Sequence, residues 1–110
     1  MSANPDRSKA NSTADPTLDK LLDHRLRLTV CILLSRYDRV SFSRFKELTG
    51  ETDGNLGANL RKLEDVGYLK VSKHFLDRKP VTHYALTAKG KKALRSHLDA
   101  LEDLISQAKV

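Results

Sequence analysis

The chain has 110 residues, 39% hydrophobic and 31% charged, with 20 Lys and Arg against 14 Asp and Glu, for a net charge of +6. That length suits one domain with a single core, and the charge favours a polyanionic partner, although an excess of Lys and Arg also serves solubility. A lone cysteine excludes an internal disulfide and a thiolate-built zinc site, and no apolar run reaches the roughly 20 residues of a membrane span.

Residues 1–16, "MSANPDRSKANSTADP", carry no large apolar residue after Met1. They are expected to form a flexible tail, and they lack the apolar segment of a signal peptide, which suits a cytoplasmic protein. The domain proper then covers residues 17–110. Thr17 can cap a long helix over Thr17–Tyr37, "TLDKLLDHRLRLTVCILLSRY". Its first half is amphipathic through Leu18, Leu21, Leu22 and Leu26. Its second half, "LTVCILL", is apolar nearly all round, so it must be covered on every side, which suggests a partner subunit. Cys31 lies within this run and reads as a small core hydrophobe, with a redox switch as the alternative.

In "DRVSFSRFKELTG" the alternation of Val40 and Phe42 with polar residues predicts a very short strand. Ser43 is then expected to cap a short helix with Phe45 and Leu48 facing inward, closed by Gly50 in the left-handed conformation. The next helix, about 53–66, has Thr52 or Asp53 as its cap. Leu56, Leu60 and Leu63 form an apolar stripe, flanked by Val66, and Gly67 is the stop. The runs "YLKVSKHFL" and "VTHYALT", joined by "DRKP", read as a hairpin with a basic tip, about 73–83. "TAKGKKALRSHLDALEDLISQAKV" closes the chain as a helix over about 88–109, with Leu94, Leu98, Leu101 and Ile105 at 4-3-4 spacing.

This order of helix, short strand, helix, helix, hairpin and helix describes a winged helix-turn-helix: mainly α with a small β-hairpin, in the α+β class. The third helix carries an oddity, since Gly54 and Gly57 stand where glycine costs roughly 0.5–1 kcal/mol relative to alanine. With Leu56 at 0° on a wheel of about 100° per residue, Gly54, Ala58, Arg61 and Asp65 fall on the opposite side. Asn55 and Lys62 lie on one flank and Gly57 on the other. Small residues at the leading end let a backbone approach base edges closely, while Asn55 and Arg61 can make bidentate hydrogen bonds. The competing accounts are that Gly54 lies in the first turn, where the interior penalty is smaller, and that Gly57 allows tight packing on the preceding helix. Asn59, about 60° from the stripe, is either structural or reaches a phosphate from the edge.

Ser43, Arg44 and Lys46 stand at the start of the second helix, whose first amides suit a phosphate. Lys73, His74, Arg78 and Lys79 bracket the hairpin turn and can reach a minor groove or flanking phosphates, although an exposed loop can also be basic by chance. Of the four histidines only His74 and His83 can meet, and two histidines alone make a poor zinc site. No nucleophile, base and orienting group form a recognisable set, and no phosphate-binding glycine loop follows a strand, so neither catalysis nor a cofactor is expected.

The run "DGNLGANLRKLEDVGYLKV" followed by "DRKPVTHYALTAKGKKAL" resembles the small single-domain winged-helix regulators related to the MarR and PadR groups. The resemblance spans about residues 18–105 and is most specific in "DGNL...L.KLE..GY" and "Y.LT..G". It implies a dimeric transcription regulator, with the third helix in the major groove of duplex DNA and the wing beside it. The expected reading set on that helix is Gly54, Asn55, Ala58, Asn59, Arg61 and Lys62. Leu18, Leu22, Leu94, Leu98, Leu101 and Ile105 are the expected dimer contacts, and a repressor is the expected role. A different class, a winged-helix module docking an acidic protein, would more often expose aromatic or Leu anchors, and none falls on the third helix. RNA binding is a weaker option, without an aromatic stacking platform.

Overall fold

The computed structural model describes residues 18–109. In chain order it contains α1 (Arg25–Arg36), β1 (Val40–Ser41), α2 (Phe42–Thr49), α3 (Asp53–Asp65), β2 (Leu69–Leu76), β3 (Lys79–Leu86) and α4 (Ala88–Gln107). The strands form one antiparallel sheet in the order β1-β3-β2. Val40 pairs with Tyr84, and β2 and β3 are in register from Leu69↔Leu86 to Leu76↔Lys79. This is the expected winged α+β architecture.

The core lies where α1, α3 and α4 meet the base of the sheet. Leu26, Val30, Cys31 and Leu34 of α1 close over Phe45, Leu56, Leu60 and Leu63, with Leu69, Leu86 and Leu94 completing the cluster. Leu56, Leu60 and Leu63 are each at most 1% exposed. Burying a leucine contributes roughly 1.5–3 kcal/mol, so this stripe is what fixes the rotation of α3 about its axis. The face opposite the stripe is thereby committed to solvent.

The first helix is shorter than the expected Thr17–Tyr37. Thr17 and the tail at residues 1–16 lie outside the described residues. Residues 18–24 form turns rather than helix, built on Asp19, whose Oδ1 accepts from the amides of Leu21 and Leu22 at 2.8 and 3.3 Å. Three tertiary bonds hold the segment. The Asp19 amide donates to His97 Nδ1 at 3.0 Å, the Tyr68 hydroxyl donates to Asp19 Oδ2, and Arg27 Nε donates to the Leu21 carbonyl at 2.6 Å. His24, in extended backbone, then caps α1. Long-range polar bonds here outweigh local helical periodicity.

Other local expectations shift by a residue or two. Phe42 belongs to α2 and not to the strand, and the cap is Ser41 rather than Ser43, with Ser41 Oγ accepting from the Arg44 amide at 3.1 Å. Leu48 points outward at 43% exposed, while Phe45 and the partly buried Phe42 take the inner side of this two-turn helix. Gly50, with φ 71°, closes α2 as expected, and Thr52 is the cap of α3. The hairpin turn is only Asp77 and Arg78, with Lys79 and Pro80 inside β3. Pro80 lies beyond the reach of β1, where the missing amide is tolerated.

Of the expected dimer contacts, Leu22 and Leu94 are buried within the protomer at 0% and 4% exposure. Both belong to the core cluster, and Leu94 also lines the open groove between α1 and α4. Leu18, Leu98 and Leu101 are half-buried and Ile105 is exposed. Among the described residues no helix is long and apolar enough to cross a membrane.

Candidate nucleic-acid interface

Three segments converge on one side of the molecule. Thr52 Oγ1 accepts from the Asn55 amide at 3.1 Å and starts α3, and the turn at Gly50 brings α2 against it. Gly54, Asn55, Ala58, Arg61, Lys62 and Asp65 are all exposed, on the side away from the buried leucines. A Cβ added at Gly54 would meet nothing within 4 Å, and one at Gly57 only the edge of Phe42 at 4.0 Å. Packing against α2 therefore does not account for Gly57, and Gly54 is the second residue of α3, in the first turn, where glycine costs less.

Asn59 is not part of that exposed face. It is 5% exposed, accepts from Arg27 Nη1 at 2.7 Å, and donates to the backbone carbonyl and Oδ1 of Asn55 at 2.8 and 3.1 Å. Its place near the apolar stripe gives it a structural partner in α1 instead of an outward reach. Arg27 and Glu51 were not singled out by the sequence. Arg27 stands between Leu26 and Leu28, and a cation within an apolar run is the signal that could have marked it.

At the start of α2, Arg44 is paired with Glu47 at 3.0 Å and Lys46 with Asp53, while Ser43 Oγ lies 3.3 Å from Ser41 Oγ. These cations are already partly neutralised. Arg61, Lys62, Lys73, Arg78 and Lys79, by contrast, form no ion pair among the described residues. Free cations thus stand on the second half of α3 and on the wing, as they also do on α1 and α4.

The alternation of the hairpin places Leu69, Val71, Lys73 and Phe75, with Pro80, Thr82, Tyr84 and Leu86 across from them, on the face that packs on the core. Beyond the core this face runs out into the wing, where Phe75 is 74% and Leu76, on the opposite face, 60% exposed. The exposed pair at the tip was not anticipated. Tyr84 has its hydroxyl pKa raised by burial and then by Glu64, with Arg61 opposing, so α3 and the base of the wing share one field. His74 and His83 do meet, stacked at 4.8 Å with an interplanar angle of 6°. Burial, then Arg39 and His74, lowers the pKa of His83. Among the described residues no group of three or more potential metal ligands occurs.

The turn joining the strands has φ 52° at Asp77 and 67° at Arg78. This is the two-residue hairpin geometry that glycine ordinarily fills at the second position. An arginine there costs of order 1 kcal/mol in backbone conformation.

This helix-turn-helix with an adjoining two-stranded wing defines a winged helix. The chain belongs to the winged helix DNA-binding domain family, whose model matches residues 26–105. It is similar to the transcriptional regulator homologue protein of Pyrococcus horikoshii OT3, at 29% identity and a TM-score of 0.76, covering 82% of this chain and 89% of that one. It is also 29% identical over 79 residues to the uncharacterized protein MJ0432 of Methanocaldococcus jannaschii, covering 72% of this chain and 86% of that one. A MarR-family candidate regulator from Porphyromonas gingivalis W83, at 17% identity and a TM-score of 0.62 over 82% of this chain and 86% of that one, shares the fold. The protein is a DNA-binding winged helix of the transcriptional-regulator type.

Proposed function

We propose that this protein is a dimeric transcriptional regulator, a repressor by occupancy, that binds specific duplex DNA with α3 in the major groove and the wing on the flanking backbone or minor groove. The observation that carries this reading is the open space around Gly54. The leading end of α3 is small although nothing among the described residues crowds it, which suits close approach to base edges and phosphates. Asn55, Ala58, Arg61 and Lys62 continue that face. Lys73, His74, Arg78 and Lys79 serve the wing, and Ser43 contacts phosphate together with Arg44 and Lys46, once Glu47 and Asp53 release those two cations.

Dimerisation runs along α1 and α4. Leu28 and Ile32, with Leu98, Leu101 and Ile105, line an open apolar groove, and Ile105 is 72% exposed. A second copy laid on this face would cover it and place two reading helices on successive major-groove turns.

The test is selection from random duplex DNA at two salt concentrations, with the mass of the protein in solution measured alongside. The reading expects a dimer and an enriched palindrome whose half-sites lie about one helical turn apart. Salt-sensitive binding without enrichment would leave a non-specific binder. No binding at low salt would favour a module that docks an acidic protein.

A further inference from the structure

We infer that Arg27 and Asn59, neither of which faces the DNA, are positioning residues that set which way round the Asn55 side-chain amide enters the groove. The inference rests on the reading of α3 given above. A carboxamide has one donating and one accepting end, and on an exposed helix it can turn over at little cost. Here a chain of hydrogen bonds removes that freedom. The Arg27 guanidinium has no acceptor, so the atom 2.7 Å from its Nη1 must be Asn59 Oδ1. Asn59 therefore directs Nδ2 along α3, where it donates to the Asn55 carbonyl at 2.8 Å and to Asn55 Oδ1 at 3.1 Å. Asn55 Oδ1 is thereby held inward and Asn55 Nδ2 is turned out, where it donates to Glu51 Oε1 at 2.6 Å.

The polarity begins at a group that cannot be reversed. Arg27 is itself anchored, since its Nε donates to the Leu21 carbonyl at 2.6 Å, and Asn59 is buried. Asn55 thus meets DNA as a donor. Glu51 occupies the acceptor position in the free protein, and a base edge takes its place on docking. Guanine, with N7 and O6 both accepting, fits an outward donor best, and cytosine, which offers only its N4 donor in the major groove, fits worst.

The experiment uses the full chain as wild type, Asn59→Asp, Asn55→Ala and the double variant, each selected against random duplex DNA. Asn59→Asp keeps an acceptor for Arg27 but gives Asn55 a carboxylate to face, which draws Nδ2 inward and turns Oδ1 out. The expected result is a position in each half-site where wild type prefers guanine over cytosine about tenfold or more. In Asn59→Asp that preference is lost in favour of donor-bearing bases, with the other positions and the salt slope unchanged. With Asn55→Ala in place, Asn59→Asp should have no further effect on base preference, since the two act through one contact. Should Asn59→Asp fail to fold, Arg27→Gln replaces it, because glutamine can donate or accept and no longer dictates polarity; the preference should then weaken at that same position alone. Wild type that enriches a site, with Asn59→Asp (or the folded Arg27→Gln) keeping every base preference, overturns this inference and leaves the DNA reading intact. Wild type that enriches no sequence removes both.

Discussion

A Cβ on Gly90 would stand 2.2 Å from the backbone carbonyl oxygen of Tyr68, a separation no side chain can occupy. The contact is part of a joint between the start of α4 and the entry to β2. The Thr87 amide donates to the same Tyr68 oxygen at 3.0 Å, and Thr87 Oγ1 caps α4 by accepting from the Gly90 amide at 3.0 Å. The entry to the wing and the helix proposed for dimerisation are therefore locked to one another at this joint, where Thr87 Oγ1 also donates to the Gly67 carbonyl and Lys89 Nζ to the Val66 carbonyl. Gly90→Ala should lower stability by about 3 kcal/mol, the upper end of overpacking, since the opposing atom is backbone and cannot rotate away. Urea unfolding measures it, and a midpoint equal to that of wild type would mean that α4 lifts from the strand without loss.

Cys31 is fully buried in the α1 face of the core, and its thiol pKa is pushed up to about 12, first by burial and then by the charge of Asp19. That environment makes it inert as a redox switch. In the unfolded chain the thiol ionises at its ordinary value near 9. Between about pH 9 and 12 the unfolded state therefore holds fewer protons than the native state, and stability must fall as pH rises through that window. Comparing the slope of unfolding free energy between pH 9 and 11 in wild type and in Cys31→Ala isolates this contribution, and the variant should show the shallower slope. At pH 8 a thiol reagent should modify the native protein only as fast as it opens. Rapid modification of the folded protein would contradict the burial of this side chain.

At the wing tip an arginine sits at φ 67°, where glycine would be relaxed. Arg78→Gly should stabilise the fold by about 1 kcal/mol through release of that conformation. It should also weaken DNA binding on all sequences alike and reduce the salt slope by about 1, as expected for one lost phosphate contact. Lys79→Ala should share the loss of affinity and slope without the gain in stability. Titrations at several salt concentrations, paired with thermal unfolding, separate the two. An unchanged slope in both variants would take the wing out of the interface.

Much of this was legible because it is local. The Leu56, Leu60 and Leu63 stripe, a cap at Thr52 or Asp53 and Gly50 as stop need only helical period and capping chemistry, and those place the outward face of α3. What could not be read is what depends on residues far away in the chain. Nothing near Asp19 announces that it will meet Tyr68 and His97, so the first helix was extended through a segment that tertiary bonds hold as turns. Asn59 sits at the margin of the stripe, where an amide suits either side, and only Arg27, 32 positions away, decides the matter. Leu48 illustrates the limit of periodicity in an eight-residue helix, where two aromatics, Phe42 and Phe45, take the inner side. The turn "DRKP" lacks the Asn-Gly signal of a two-residue hairpin, so the sequence alone gives Lys79 and Pro80 as loop, whereas both are strand.

Gly54 is the mirror image of Arg78: glycine where a larger residue would be comfortable, against arginine where glycine would be. Gly54 is helical and has open space where its Cβ would lie, so Gly54→Ala should raise stability by about 0.4–1 kcal/mol, chiefly by restricting the unfolded chain. If the leading end of α3 lies against DNA, the same methyl group stands between backbone and base edge and should lower specific affinity. Opposite signs in the two measurements are the signature of a residue kept for binding, because a structural role would move both together or neither. Gly57→Ala supplies the comparison. Its Cβ would touch only Phe42 at 4.0 Å, so stability should again rise, but from the flank of the helix its effect on affinity should be the smaller one. Thermal unfolding and DNA titration of the two variants decide it, and a Gly54→Ala protein that is stabilised and binds as tightly as wild type would remove α3's leading turn from the groove.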